Sequence, residues 1–153
     1  MTSREWLELV RIAASEIEPL QCELAGLMAA HDQCVSWHTS HGGGGPCVGT
    51  HSDPTASLAQ ARMSELDAMV ADVKSKLDER IRLVGECGEL LMRMERELGR
   101  KYRDVLEIYY IDRADTWSEV AWEMDVTYRY VQMLRNVAYE WMDRHVRWLC
   151  PIT

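Results

Sequence analysis

Hydrophobic residues early in the chain return at alternating steps of three and four: Val10, Ala13, Ile17, Leu20, Leu24 and Leu27, with His31 next in the series. Such a seam belongs to a helix packed lengthwise on another helix, and it predicts a helix over residues 3–33. Thr2 or Ser3 can cap its start, and Glu5 and Glu8 lie near the positive end of its dipole. Pro19 falls inside this helix and removes a backbone donor, which predicts a kink near residues 17–19. Residues 34–54 lose the period; their four consecutive glycines and Pro46 predict a flexible connection, long enough for two helices to turn back on each other. Asp53, Pro54 and Thr55 then supply helix-start signals for a long stretch over residues 55–98. Its seam begins with Leu66, Met69 and Val73, takes a four-residue step to Leu77, and resumes with Val84, Cys87, Leu91, Met94 and Leu98. The extra step resembles a stutter, which locally unwinds a coiled coil without ending it. Gly85 and Gly88 weaken the middle of this helix, or mark a close approach of a neighbour.

From Gly99 onward the pattern breaks into three shorter helices. The first, residues 100–111, offers Val105, Leu106, Ile108 and Tyr109 to a core and ends at the polar residues Asp112, Arg113, Ala114 and Asp115. Thr116 caps a short second helix, with Glu119 three residues later completing a capping box. That helix turns Val120, Ala121 and Met124 inward. Asp125 and Val126 make a tight turn, and Thr127 caps a third helix whose inner side is Val131, Leu134, Ala138, Trp141 and Met142. Two short elements separated by a turn with one aliphatic plug, the second starting with Thr, follow the helix-turn-helix layout. The second helix of that pair shows Tyr128, Arg129, Gln132, Met133, Arg135 and Asn136 on its outer face. Arg, Gln and Asn suit bidentate reading of purine edges, while Tyr and Thr suit phosphate contacts. The candidate DNA-binding residues are therefore Thr116, Thr127, Tyr128, Arg129, Gln132, Met133, Arg135 and Asn136.

The run RKYRDVLEIYYIDRADTWSEVAWEMDVTYRYVQMLRNVAYEWM resembles region 4 of the sigma-70 family, through Glu119, Val120, Ala121, Asp125, Val126, Thr127, Val131 and Ala138. A closer resemblance covers almost the whole chain. It is to small phage and prophage proteins with an N-terminal helical pair, a variable glycine-rich linker and a sigma-region-4-like end. Their signature falls here on residues 117–131, with Tyr128 and Arg129 especially characteristic. The resemblance implies promoter-proximal DNA binding by a regulator akin to phage late-gene transcriptional regulators, with RNA polymerase as a further partner. It also has a gap, because nothing in the chain resembles the sigma region that melts a promoter. Tyr139 and Trp141 depart from the usual Leu and basic residue, which moves the end of the reading helix toward apolar packing against the long helix.

Composition narrows the picture further. Hydrophobic content of 47% supports a packed core, and large apolar positions fall to Trp, Tyr and Met because Phe is absent. The net charge of −8 argues against a general nucleic-acid coat, but the acid is uneven. Residues 1–99 carry 9 basic and 16 acidic side chains, whereas the only charges within 127–139 are Arg129 and Arg135. The opening residues show no export signal and no run is long enough to cross a membrane, so a cytoplasmic protein of a bacterial host cell is expected. Five cysteines then read as reduced thiols. Cys34, His38, Cys47 and His51 repeat a Cys-x3-His unit whose donors suit tetrahedral zinc, yet the glycine run between the halves holds neither in place. No metal or other cofactor is expected, and these four are the set that zinc would use. No phosphate cradle or supported nucleophile is present, so an enzyme is not expected.

The expected molecule is all-α, with a long helical hairpin over residues 1–99 and a helix-turn-helix domain over residues 100–153. Its expected role is sequence-specific binding of double-stranded DNA in phage or prophage transcription, with homodimerisation through the hairpin as a way to present two reading helices. The alternative is a protein-interaction module that binds RNA polymerase or a sigma factor, or serves packaging as small terminase subunits do.

Overall fold

The computed structural model describes the backbone of residues 1–40 and 54–145, and side-chain surroundings for residues 1–36 and 57–145. All regular structure among the described residues is helical, as the periodicity predicts. Helix α1 spans Ser3–Ser40, α2 spans Pro54–Leu98 and α3 spans Arg100–Leu106. The last runs directly into a wider π-helical turn, Glu107–Ile111, and is followed by α4, Trp117–Glu123, and α5, Tyr128–His145. No helix among the described residues is long and apolar enough to cross a membrane.

Two expectations need correction. Helix α1 continues to Ser40, so residues 34–40 are helix rather than connection. The strong breakers begin only at Gly42, and half-buried Cys34 extends the three-four seam by one more step. The glycine run itself lies outside the described residues. Pro19 is exposed, and α1 runs as one helix through it. The second correction concerns the α2 seam. Met69 is 45% exposed, and half-buried Val70 takes its place. Positions 59, 63, 66, 70, 73, 77, 80, 84, 87, 91, 94 and 98 are all buried or half-buried and keep an unbroken four-three alternation. No stutter is needed, because position 80 holds an arginine that lays its stem along the seam while its Nε donates to Glu16 of α1.

The chain divides into two compact units, Glu18–Asp78 and the combination of Met1–Ile17 with Glu79–Thr153. These limits cut through α1 and α2 and differ from an expected split at Gly99. In the first unit Leu66, Val73 and Leu77 are buried on α2. Leu20, Leu24, Leu27 and His31 are half-buried on α1, and His31 Nε2 lies 2.9 Å from Asp67. In the second unit a single core collects Trp6, Leu7 and Val10 from α1 and Cys87, Leu90, Leu91 and Met94 from α2, with Val105, Leu106, Tyr110, Ala114, Val120, Ala121, Val131, Leu134, Ala138, Trp141 and Met142. Thr2 caps α1 through a reciprocal pair with Glu5, 3.3 Å to the Glu5 amide and 2.7 Å back from the Thr2 amide. The Ser3 amide, free of an intrahelical acceptor, donates to Asp143 of α5 at 2.9 Å.

Between α2 and α3 the chain turns at Gly99, whose φ of 115° suits only glycine. Arg103 ties the two sides of this corner together, donating to Glu95 at 2.6 Å and to Glu107 at 2.8 Å. Gly85 and Gly88 mark no close approach, since a Cβ at either would meet no heavy atom within 4 Å. The fully buried Cys87 is an inert core thiol, its pKa pushed up to about 12 by burial and secondarily by Glu107.

Urea denaturation tests the corrected seam. Leu91→Ala is expected to cost about 2–5 kcal/mol, whereas Met69→Ala stays within about 0.5 kcal/mol of the parent. Gly85→Ala is expected to gain roughly 1 kcal/mol by helix propensity alone. A loss at Gly85 would restore the close-approach reading.

Candidate nucleic-acid interface

Local chemistry sets the short helix α4, the turn after it and the start of α5. Thr116 is extended and its hydroxyl accepts the Glu119 amide at 3.2 Å, while the Glu119 carboxylate accepts the Asp115 amide at 2.8 Å. Reciprocal bonds of this kind satisfy donors that a helix start otherwise leaves open. At the other end of α4, Asp125 adopts a left-handed φ of 54°. That lets the Val126 amide reach the Ala121 carbonyl at 3.0 Å and the Asp125 amide reach the Trp122 carbonyl at 3.1 Å. The double closure is a Schellman motif with aspartate in the place that glycine usually takes. Thr127 then starts α5, its hydroxyl accepting the Tyr130 amide at 3.3 Å.

This turn fixes which way α5 faces. Val131, Leu134, Ala138, Trp141 and Met142 are buried, the five inner residues that the 3.6-residue period selects. On the opposite side Tyr128, Arg129, Met133 and Asn136 are exposed and Gln132 is half-exposed. Arg129 forms no ion pair among the described residues, and the face carries no acid between Thr127 and Tyr139. Thr116 and Thr127 are also exposed, with their hydroxyls already engaged as caps. Acidic side chains crowd the neighbouring surface instead, at Asp115, Glu119, Glu123 and Asp125.

Arg135 stands apart from the other candidates. It is half-buried, with its guanidinium carbon 4.8 Å from the centre of the Trp117 ring and 6.0 Å from that of Tyr139. Trp117 in turn stacks on Tyr109, with centroids 3.8 Å apart and planes 10° from parallel. Arg11 of α1 lies 4.2 Å from the Tyr109 centroid and donates to the Tyr109 carbonyl at 3.0 Å. The gap between the rings is too narrow for a third group, so each guanidinium covers an outer face. The result is a four-layer stack of Arg11, Tyr109, Trp117 and Arg135 that joins α1, the π-helical turn, α4 and α5. Tyr110 and Tyr139 share a hydroxyl hydrogen bond of 2.6 Å beside it, and burial pushes the Tyr110 phenol well above its ordinary range.

The far end of α5 is pinned to α2. The Trp141 indole donates to Glu97 at 2.7 Å, and His145 stacks on the Trp141 ring at 4.1 Å. The Trp141 side chain is buried at this end of α5. Sequence reasoning missed the stack, because Arg11 lies far along the chain from Tyr109, Trp117 and Arg135. It also passed over Trp122 on α4, which is 83% exposed. Of the possible zinc donors, Cys34 is half-buried on α1, while the side chain of His38 and all of Cys47 and His51 lie outside the described residues. Among the described residues no group of His, Cys, Asp and Glu is arranged to hold a metal.

Comparison of the chain with protein-family models, with characterised proteins and with solved structures gives no match.

Two measurements probe this geometry. Asp125→Gly should relieve the left-handed strain and raise the unfolding free energy by up to about 1 kcal/mol, read by thermal or urea unfolding. The indole hydrogen bond from Trp141 holds the Glu97 carboxyl below its usual range, with Arg93 and His145 helping against partial desolvation. A lowered folded pKa means that this contribution is present above the ordinary carboxylate range and is lost as pH falls through the folded value. Trp141→Phe is therefore expected to raise the Glu97 pKa seen by carboxyl-carbon NMR and to flatten the dependence of stability on pH below about 4.5.

Proposed function

We propose that this protein is a sigma-region-4-like transcriptional regulator of phage or prophage origin that binds double-stranded DNA sequence-specifically through α5. The observation that carries the reading is the outward face of α5, set by the Asp125 turn and bearing Tyr128, Arg129, Gln132, Met133 and Asn136 with no acid among them. A helix with this orientation can enter a major groove, where Arg129 suits guanine and Gln132 or Asn136 suits adenine. In this reading α4, the turn and α5 form a helix-turn-helix, and α1 and α2 form a helical hairpin that supports it. The resemblance of residues 100–142 to sigma region 4 supports the same assignment and makes RNA polymerase a candidate partner. Pairing of two copies through the hairpin would present two reading helices to a two-fold site.

The exposed Trp122 favours a second reading, in which this end of the molecule docks on a protein such as RNA polymerase. Large exposed aromatics are typical anchors of protein interfaces. Binding to duplexes selected from a randomised pool separates the two. Arg129→Ala and Gln132→Ala should each cost about 1–3 kcal/mol on a selected duplex and relax the preference at one or two base pairs. Equal losses on selected and scrambled duplexes would contradict base reading, and polymerase binding without any duplex affinity would favour the second reading.

A further inference from the structure

Arg135 has three properties that do not fit a base-reading side chain. Its Nε is buried and has no hydrogen-bond partner. Its guanidinium lies against Trp117 rather than projecting from the helix. No carboxylate pairs with it among the described residues, although Asp115 and Glu119 flank the same end of α4. With about 100° of rotation per residue, Arg135 sits roughly 60° from Gln132, on the side away from Arg129 and Asn136. It therefore marks the α4 edge of the exposed face, not its centre.

A guanidinium stripped of water at its Nε and left without a counter-charge is poorly solvated. The Trp117 and Tyr139 rings offset part of that loss through their negative faces. Contact with an anionic oxygen at the terminal nitrogens would offset more. A phosphate has the right charge for such a contact, and it recurs at every nucleotide whatever the base. The stack beneath supplies the rigidity that a fixed contact requires. Trp117 is held by Tyr109, and Tyr109 by Arg11, which is anchored by its own bond to the Tyr109 carbonyl.

We propose that Arg135 grips a backbone phosphate of duplex DNA at the edge of the α5 face, with Trp117 as its positioning residue. This rests on the DNA-binding reading above and changes the role expected for Arg135 from base reader to backbone contact. Arg129 is left as the basic residue able to read bases from this face.

The test uses the full chain, a duplex selected from a randomised pool and a scrambled duplex of equal length, titrated across a series of salt concentrations. Arg135→Gln keeps the side-chain stem over Trp117 but removes the charge. It should weaken both duplexes by about the same factor, roughly tenfold at low salt, and reduce the salt slope by about one. Arg135→Lys should restore most of the slope. Trp117→Leu should lose affinity on both duplexes although Arg135 is still present, and Arg135→Gln added to it should cost little more. Circular dichroism and melting identify any variant that unfolds; the Arg135→Gln and Arg135→Lys pair decides the matter without Trp117→Leu. A changed base preference in the selected pool would overturn the proposal by making Arg135 a reader. Unchanged affinity and slope would overturn it by making the stack purely structural. Absence of duplex binding by the parent protein would instead overturn the DNA-binding reading itself.

Discussion

Helices of seven residues do not persist in water on their own, because too few hydrogen bonds follow the costly first turn. Both α3 and α4 are of this length, and the candidate interface depends on them. What holds them is burial against longer elements. The first turns of α1 and the last turns of α2 supply Trp6, Leu7, Val10, Leu90, Leu91 and Met94 to the same core as Val105, Val120 and Leu134. The short helices are therefore one side of a shared core. Its loss would remove the outward face of α5 together with the fold of its support.

The polar contacts around that core act as alignment rather than as its main source of stability. Trp141 and Glu97 join α5 to α2, while Ser3 and Asp143 join α1 to α5. Each pair places one donor that would otherwise be left unsatisfied, an indole N–H in one case and a helix-start amide in the other. Leaving such groups unpaired costs more than the bonds contribute in net terms. Arg103 performs the same service at the Gly99 corner by bridging Glu95 and Glu107. Together these contacts select one arrangement of helices that apolar packing alone would define less sharply.

Much of this was legible in the sequence where the physics is local. The caps at Thr116 and Thr127, the inner face of α5 and the turn at Asp125 all follow from side chains acting within a few residues of themselves. The seam of α2 departs from the apolar pattern for a physical reason. Met69 looks like a core residue and Arg80 does not, yet the helical period puts the arginine at the interface, where Glu16 meets it. Apolar character alone cannot reveal a snorkelling cation. The end of α1 lies later than the loss of period after Gln33 suggests, because no strong breaker occurs before Gly42. The aromatic stack was out of reach altogether: Arg11 and Trp117 share no period or motif, and only the packing of α1 beside the π-helical turn brings them together.

The distribution of charge gives the support a second role. Acidic side chains outnumber basic ones by 16 to 9 in residues 1–99, so the long helices contribute repulsion rather than attraction toward any polyanion. If α5 binds DNA as proposed, a face built on such a body must gain its affinity from few contacts, each held in place. That demand is consistent with a guanidinium clamped on stacked rings and with a reading face kept free of acid. In that reading one weakly gripping copy would be a poor binder at moderate salt, because phosphate contacts weaken as salt rises. A second copy, or a protein partner already seated on the DNA, would make up the difference by raising the effective concentration of the α5 face at its site.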